Sequence, residues 1–269
     1  MNFVSDSFNP LLSINTIQGR CRWISTSHSA FASAAVENHK PTAAVPEVAT
    51  RSTNEHEQQG KPFTDLQGQI SNETLQAITQ KPLSMTHMTA VQEAVFDLLP
   101  ELAEPYESGK KSDGPRDLMV KARTGTGKTL SFLVPVIEAR VKAREAAIEK
   151  ARKEAGSSFT SGMERRALRE FTRNNVGALI LSPTRELATQ IATEAMQLTR
   201  LHENMEVHLL VGGLSKIKQI RDWEKGVPDI VVATTGRMRD LMDSHSGIKS
   251  AIQKTRVVRQ SLPSIMTEN

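Results

Sequence analysis

The chain has 269 residues, of which 38% are hydrophobic and 24% charged, with a formal net charge of +4. That length allows about one to two domains with a real core, and no apolar run approaches the ~18 residues of a membrane span, so no bilayer-crossing helix is expected. A single cysteine, Cys21, excludes a disulfide framework and a multi-cysteine zinc site, and the scattered histidines show no ligand-like spacing, so no protein-held structural metal is expected.

Residues 1–60 are rich in Ser, Ala, Thr and Asn and show only weak hydrophobic periodicity, which predicts a mostly disordered arm and linker. Within it Arg20, Arg22 and the run Trp23-Ile24-Ser25-Thr26-Ser27 are similar to the end of a mitochondrial presequence, and Asp6 is the only acid before Glu37. A matrix location is the expectation, a plain flexible tail the alternative. A secretory signal fits worse, because no continuous apolar segment follows a basic start.

Order is expected to begin near Phe63, ahead of a short helical pattern through Ser71, Leu75 and Ile78. A second helix is predicted to start at Thr89, whose hydroxyl can accept from the amide of Gln92 or a neighbour, while Val91, Val95, Phe96, Leu98 and Leu99 give it an apolar face. Pro100 and Pro105 stand near its end.

Residues 122–129 read Ala-Arg-Thr-Gly-Thr-Gly-Lys-Thr and follow the apolar run Leu118-Met119-Val120. A strand followed by such a loop suits a polyphosphate: Gly125 and Gly127 let backbone N–H groups curl round it, Lys128 meets the β- and γ-phosphates, and the Thr129 hydroxyl can hold Mg²⁺. A helix starting at Gly127 or Lys128 would aim its positive end at the same charge. Ala122 replaces the first glycine of the usual pattern, so a Gly-rich turn in an ordinary α/β domain is the bland alternative.

Beyond it, strands are expected at 118–121, 178–181, 207–211 and 230–233, with helical stretches between them. Such alternation predicts an α/β fold with a mostly parallel, helix-covered sheet, whose ligands gather at the carboxyl ends of the strands. Ala122, Pro183, Gly212 and Thr234 would then share one edge. Residues 138–175 combine Ala, Glu, Lys and Arg at helix-forming density with a Gly-Ser interruption over 156–162, predicting a long exposed helix and a mobile loop. Acids interleaved at i,i+4 favour a solvated helix over an RNA track.

These motifs together resemble those of the DEAD-box RNA helicases. Thr89-Ala90-Val91-Gln92 is similar to their Q motif, 122–129 to motif I, Pro183-Thr184-Arg185-Glu186-Leu187-Ala188 to motif Ia, Gly212-Gly213 to the double-glycine motif, and Thr234-Thr235-Gly236-Arg237 to motif Ib. The likeness spans 63–258 and is strongest to the mitochondrial group-II-intron splicing helicases of fungi. It implies a P-loop RecA-like domain that takes ATP and Mg²⁺. Ala122, Arg123, Thr124, Gly125, Thr126, Gly127, Lys128 and Thr129 would cradle the phosphates, with Lys128 stabilising transition-state charge and Thr129 holding Mg²⁺ through ATP. Gln92 would read adenine through its paired donor and acceptor. Met85 stands where the family has an aromatic over the adenine face, and Phe63 resembles its isolated upstream aromatic; plain core packing is the alternative for both. Ala90 and Thr235 each replace a family proline.

RNA would be held through its backbone, without strong sequence preference, by Pro183, Thr184, Arg185, Gly212, Gly213, Thr234, Gly236 and Arg237. A monomer without membrane contacts is expected. After motif Ib the family continues into a strand ending in Asp-Glu-Ala-Asp, but here Lys254-Thr255-Arg256-Val257-Val258 runs on as Arg259-Gln260-Ser261. The resemblance therefore implies a domain cut short before that strand, with 259–269 a tail foreign to the family, no carboxylate pair for water activation, and an inactive product. It also implies a sheet lacking central strands, with the last ~25 residues irregular.

Overall fold

The computed structural model describes residues 12–17, 21–26, 60–104, 117–174, 176–255 and 257–260. In chain order these form β1 (Leu12–Ile17), β2 (Cys21–Thr26), α1 (Asn72–Thr79), α2 (Ala90–Phe96), α3 (Leu99–Leu102), β3 (Asp117–Lys121), α4 (Lys128–Ala155), α5 (Ser161–Asn174) and β4 (Ala178–Ser182). The chain continues through α6 (Arg185–Thr199), β5 (Val207–Leu210), α7 (Lys216–Lys225), β6 (Ile230–Thr234), α8 (Thr235–Ser244), α9 (Ser246–Gln253) and β7 (Val257–Gln260).

The larger sheet is all parallel, in the order β5-β6-β4-β7, with Leu179 opposite Val231 and Val258. Strands β4 and β6 are apolar on both faces, each face packed under helices. In β4 and β6, Ala178, Ile180, Ile230 and Val232 enter one core with α1, α2, α4 and α6, while Leu179, Val231 and Ala233 enter a second with α7, α8 and α9. This two-residue alternation divides a continuous hydrophobic run between two layers.

All four expected strands form within a residue at each end, and the α/β class is as the sequence implies. Two expectations about the ends of the chain need correction. The residues at 12–17 and 21–26, expected to lack regular structure, make an antiparallel pair, and β2 lies parallel to β3 with Trp23 opposite Met119. The Ile, Thr and Trp residues of these segments suit a strand, and pairing gives them a register. The rest of 1–60 lies outside the described residues, apart from Gly60. The carboxyl-terminal stretch is more regular than foreseen, since α9 and β7 both form and β7 pairs with β4. In keeping with the expected gap, the sheet is in two pieces: β3 and β7 are edge strands, and no ladder joins them among the described residues.

Residues 138–174 form two antiparallel helices joined by a 3₁₀ turn at Gly156–Ser158 rather than one exposed helix. Glu138, Arg140 and Arg144 are buried, against expectation. Each has partners. Glu138 accepts from Ser71 N (2.9 Å), Ser71 Oγ (2.8 Å) and Thr74 Oγ1 (2.5 Å), and Arg144 donates to the Glu203 carbonyl at 2.6 Å. Arg140 Nε meets Asp229 Oδ1 at 2.6 Å, an ion pair with both side chains almost wholly buried.

Candidate functional site

The 122–129 loop joins the end of β3 to the first turn of α4. Gly125 and Gly127 sit at φ +81 and +73, a left-handed backbone that L side chains rarely adopt. Gly127 is also crowded, for a Cβ there would lie 2.4 Å from Gln92 Nε2. The Lys128 ammonium donates to the carbonyls of Ala122 (2.7 Å) and Arg123, so the loop holds its own cation. Burial lowers the Lys128 pKa from its ordinary value. Thr126 Oγ1 closes the turn on Arg123 O at 2.8 Å, and the backbone of Thr124 lies in the same turn.

Residues 89–92 brace this loop from behind. Thr89 caps α2 as the sequence predicts: its hydroxyl accepts from Gln92 N at 3.3 Å and donates to Thr126 O at 2.9 Å. The Gln92 side chain completes a capping box by accepting from Thr89 N at 2.8 Å, and its Nε2 donates to Gly127 O at 3.3 Å. Gln92 is buried, with its carbonyl oxygen and one amide hydrogen engaged by the protein. The helix start and the phosphate-type loop are therefore one hydrogen-bonded unit.

Three further strand ends converge on an open groove. It is lined by Pro183, Thr184 and Arg185 after β4, Gly212 after β5, and Thr234, Thr235, Gly236, Arg237 and Asp240 after β6. Thr184 caps α6 by accepting from Leu187 N at 3.3 Å. Thr234 occupies the N-cap of α8 but makes no side-chain cap bond. Arg185 is exposed and reaches Gly212 O at 3.4 Å. Gly213 stands at φ +83, and a Cβ there would come 2.2 Å from Arg185 Nη1. Arg237 is held more firmly: both terminal nitrogens donate to Leu214 O at 3.1 Å, and Nη1 also donates to Gln219 Oε1 at 2.8 Å.

A protein-family model of the DEAD/DEAH box helicases matches residues 89–258, which covers both the braced loop and the groove. The chain belongs to that family. Among curated DEAD-box relatives, it is 32% identical over 186 residues to the mitochondrial ATP-dependent RNA helicase mss116 of Aspergillus oryzae, covering 69% of this chain and 23% of the relative. It is 33% identical over 171 residues to DEAD-box ATP-dependent RNA helicase 25 of Arabidopsis thaliana, covering 64% and 24%. The chain thus spans about a quarter of the length of these relatives. A solved structure of the DEAD-box helicase Mss116 bound to ssRNA and UDP-BeF shares the fold at TM-score 0.50 and 21% identity, over 75% of this chain and 41% of that one.

For Phe63 and Met85 the surroundings match the packing alternative. Phe63 is fully buried and packs on Phe96, ring centroids 6.3 Å apart, so it presents no free face to a ligand. Met85 lines a separate groove with Leu83 along α6, facing Glu186 and Glu194, and no residue of the 122–129 loop borders it. Burial raises the Glu194 pKa there. Conversely, Asp240 in the groove lining, and Gln219 and Lys216 that bond to its residues, do not stand out in the sequence. Gln219 is buried, donates to Val211 O at 3.1 Å and accepts from Arg237; Asp240 pairs with Lys216 at 2.6 Å and with Arg237 at 3.8 Å. Only the i,i+3 spacing of Arg237 and Asp240 hinted at this.

Proposed function

We propose that residues 60–260 bind Mg-ATP at the 122–129 loop and the backbone of RNA in the groove, as the first RecA-like half of an ATP-dependent RNA helicase. The observation that carries this reading is the pairing, at the carboxyl ends of strands, of one glycine-rich loop braced by Gln92 after β3 with a groove built from the segments that follow β4, β5 and β6. Curated relatives at 32% and 33% identity are named ATP-dependent RNA helicases, which supports the same activity for a protein containing these residues.

The loop fits a triphosphate. A Cβ at Gly125 would meet nothing within 4 Å, and the Thr129 hydroxyl has no hydrogen-bond partner among the described residues. Lys128 would exchange the Ala122 and Arg123 carbonyls for β- and γ-phosphate oxygens and steady the charge of the transferring phosphoryl group, while Thr129 holds the metal. Bound Mg²⁺ would neutralise phosphate charge. Gln92 enters as a positioning residue whose remaining amide hydrogen and lone pair would meet the adenine edge. In the groove, Thr184, Arg185, the amides of Gly212 and Gly213, Thr234, Gly236 and Arg237 would take phosphates and sugars, giving affinity without base readout.

The test is fluorescent ATP-analogue and RNA titration of the 269-residue chain. Lys128→Ala should abolish nucleotide binding and spare RNA, and Arg185→Ala should weaken RNA and spare nucleotide; unchanged affinities would remove the assignment.

A second reading concerns turnover. The residues after β7 read Ser261-Leu262-Pro263, with no Asp-Glu-Ala-Asp. We propose that these 269 residues alone bind without hydrolysis, and RNA-stimulated ATP hydrolysis above a Lys128→Ala control would contradict it. The arginine- and serine-rich 20–27 segment and the mitochondrial name of the Aspergillus oryzae relative support a matrix location, tested by where residues 1–60 carry a fluorescent fusion. Sedimentation of the chain tests the proposed monomer.

A further inference from the structure

The helical hairpin α4–α5 points away from the site just described. The Arg140 to Asp229 pair fixes the level, since Asp229 immediately precedes β6 and so marks the amino edge of the parallel sheet. Residues 141–155 of α4 continue past that edge, about 20 Å at 1.5 Å per residue. From there α5 returns and hands over to the amino end of β4. Two stacked cations clamp the hairpin: Arg140 lies 4.7 Å from the Phe171 ring and Arg152 5.3 Å from the Phe159 ring. The phosphate loop and the groove occupy the opposite, carboxyl edge.

The two helices treat charge differently. The distal turns of α4 neutralise themselves through Arg152–Glu149 (3.5 Å), Lys153–Glu149 (3.9 Å) and Lys150–Glu154 (3.9 Å). On α5, Arg165, Arg166, Arg169 and Arg173 are all exposed, and none has an ion-pair partner among the described residues. At 100° per residue they fall within an arc of about 100°, in a stripe about 12 Å long. Ala167, Leu168, Phe171 and Thr172, partly buried, form the other side, toward α4.

We propose that this arginine stripe is a second nucleic-acid site, which grips the phosphate backbone of double-stranded RNA at the edge of the domain remote from the helicase groove. Guanidinium groups pair with phosphate oxygens in a fixed fork, and a duplex presents about one charge per 1.7 Å of axis. No aromatic ring stands among the four arginines, so the face lacks the stacking platform of a single-strand site. A membrane-surface helix would need its apolar side free, whereas that side is packed on α4. The stripe does not depend on the groove assignment: it would hold a structured RNA while the groove works on an adjacent strand.

The experiment is fluorescence anisotropy of the full 269-residue chain with a blunt RNA duplex and with a single strand, each over a salt series. Replacing the four arginines together, by Arg165→Gln, Arg166→Gln, Arg169→Gln and Arg173→Gln, should weaken duplex binding about 10-fold or more at low salt. The log–log salt slope should become shallower by about 3.6, as expected for loss of four phosphate contacts on a duplex. The matching four-lysine variant should restore the slope, which a merely structural role would not do. Arg185→Ala should lower single-strand affinity and leave the duplex slope intact, so the two readings fail separately. An unchanged duplex slope, or a loss that lysine does not restore, overturns the proposal. Stripe-dependent pelleting with phosphatidylserine vesicles, with duplex binding unaltered, would reassign the face to membranes and overturn it too.

Discussion

Gln92 Nε2 donates to the carbonyl of Gly127 across 3.3 Å, so the capping box of α2 and the start of α4 share one side chain. Because Gln92 is buried, replacing it leaves groups that water cannot reach. Gln92→Glu turns the donor into an acceptor facing Gly127 O and should cost about 1–3 kcal/mol. Gly127→Ala should be worse for the loop: it adds a left-handed penalty of about 1–2 kcal/mol to a Cβ placed 2.4 Å from Gln92 Nε2. Thermal melts with ATP-analogue titration check both; a Gly127→Ala chain that binds nucleotide like the parent would break the proposed coupling.

The two glycines of the groove should behave differently. A Cβ at Gly212 meets nothing within 4 Å, but at Gly213 it strikes Arg185 and strains a backbone at φ +83. Gly213→Ala should therefore weaken RNA binding several-fold by displacing Arg185, and Gly212→Ala should not. Parallel anisotropy titrations decide this, and equal effects would show that Arg185 is not placed by its glycine neighbour.

Removing one side of the Arg140–Asp229 pair should be the most damaging single change to stability. Asp229 also accepts from Glu206 N at 3.0 Å, so Arg140→Leu strands a carboxylate where almost no water reaches. Loss of one partner of a buried ion pair costs about 3–5 kcal/mol. Urea unfolding of Arg140→Leu beside Arg140→Leu/Asp229→Leu checks it: the double variant should recover part of the loss, since it leaves no lone charge.

His202 gives the fold a pH dependence. Its Nε2 lies 2.9 Å from Thr74 Oγ1, which itself donates to Glu138 at 2.5 Å, so the imidazole is the donor at the head of a relay. Burial lowers the His202 pKa below 6.5; the charges of Glu138 and Glu73 act to raise it, and that of Arg144 to lower it. The unfolded chain thus takes up this proton more readily than the folded one, and stability falls as pH drops below 6.5. His202→Gln keeps a donor toward Thr74 and should flatten that part of a melting-temperature profile. A profile identical to the parent's would exclude the contribution.

How much of this was legible in the sequence follows from the range of the interactions. The strands β3 to β6 and the cap at Thr89 rest on short continuous apolar runs and a local Thr–Gln spacing, and both read directly. The 122–129 loop and the groove segments were recognised as short motifs whose residue types declare their chemistry. What failed to read was long-range. Nothing near Arg140 announces Asp229, and nothing near Phe63 says whether its ring meets Phe96 or a ligand. The pairing of Trp23 with Met119 joins segments whose intervening residues carry no strand signal. The arginines of α5 were visible, but interleaved acids suggested neutralisation, and only the hairpin shows which helix supplies its own counter-charges.

The strand that feeds the phosphate loop is an edge strand whose described neighbour, β2, comes from the first 26 residues. Removing residues 21–26 would therefore strip β3 of the one ladder it has among the described residues, and the 122–129 loop would then hang from a strand with both edges open to a new partner strand.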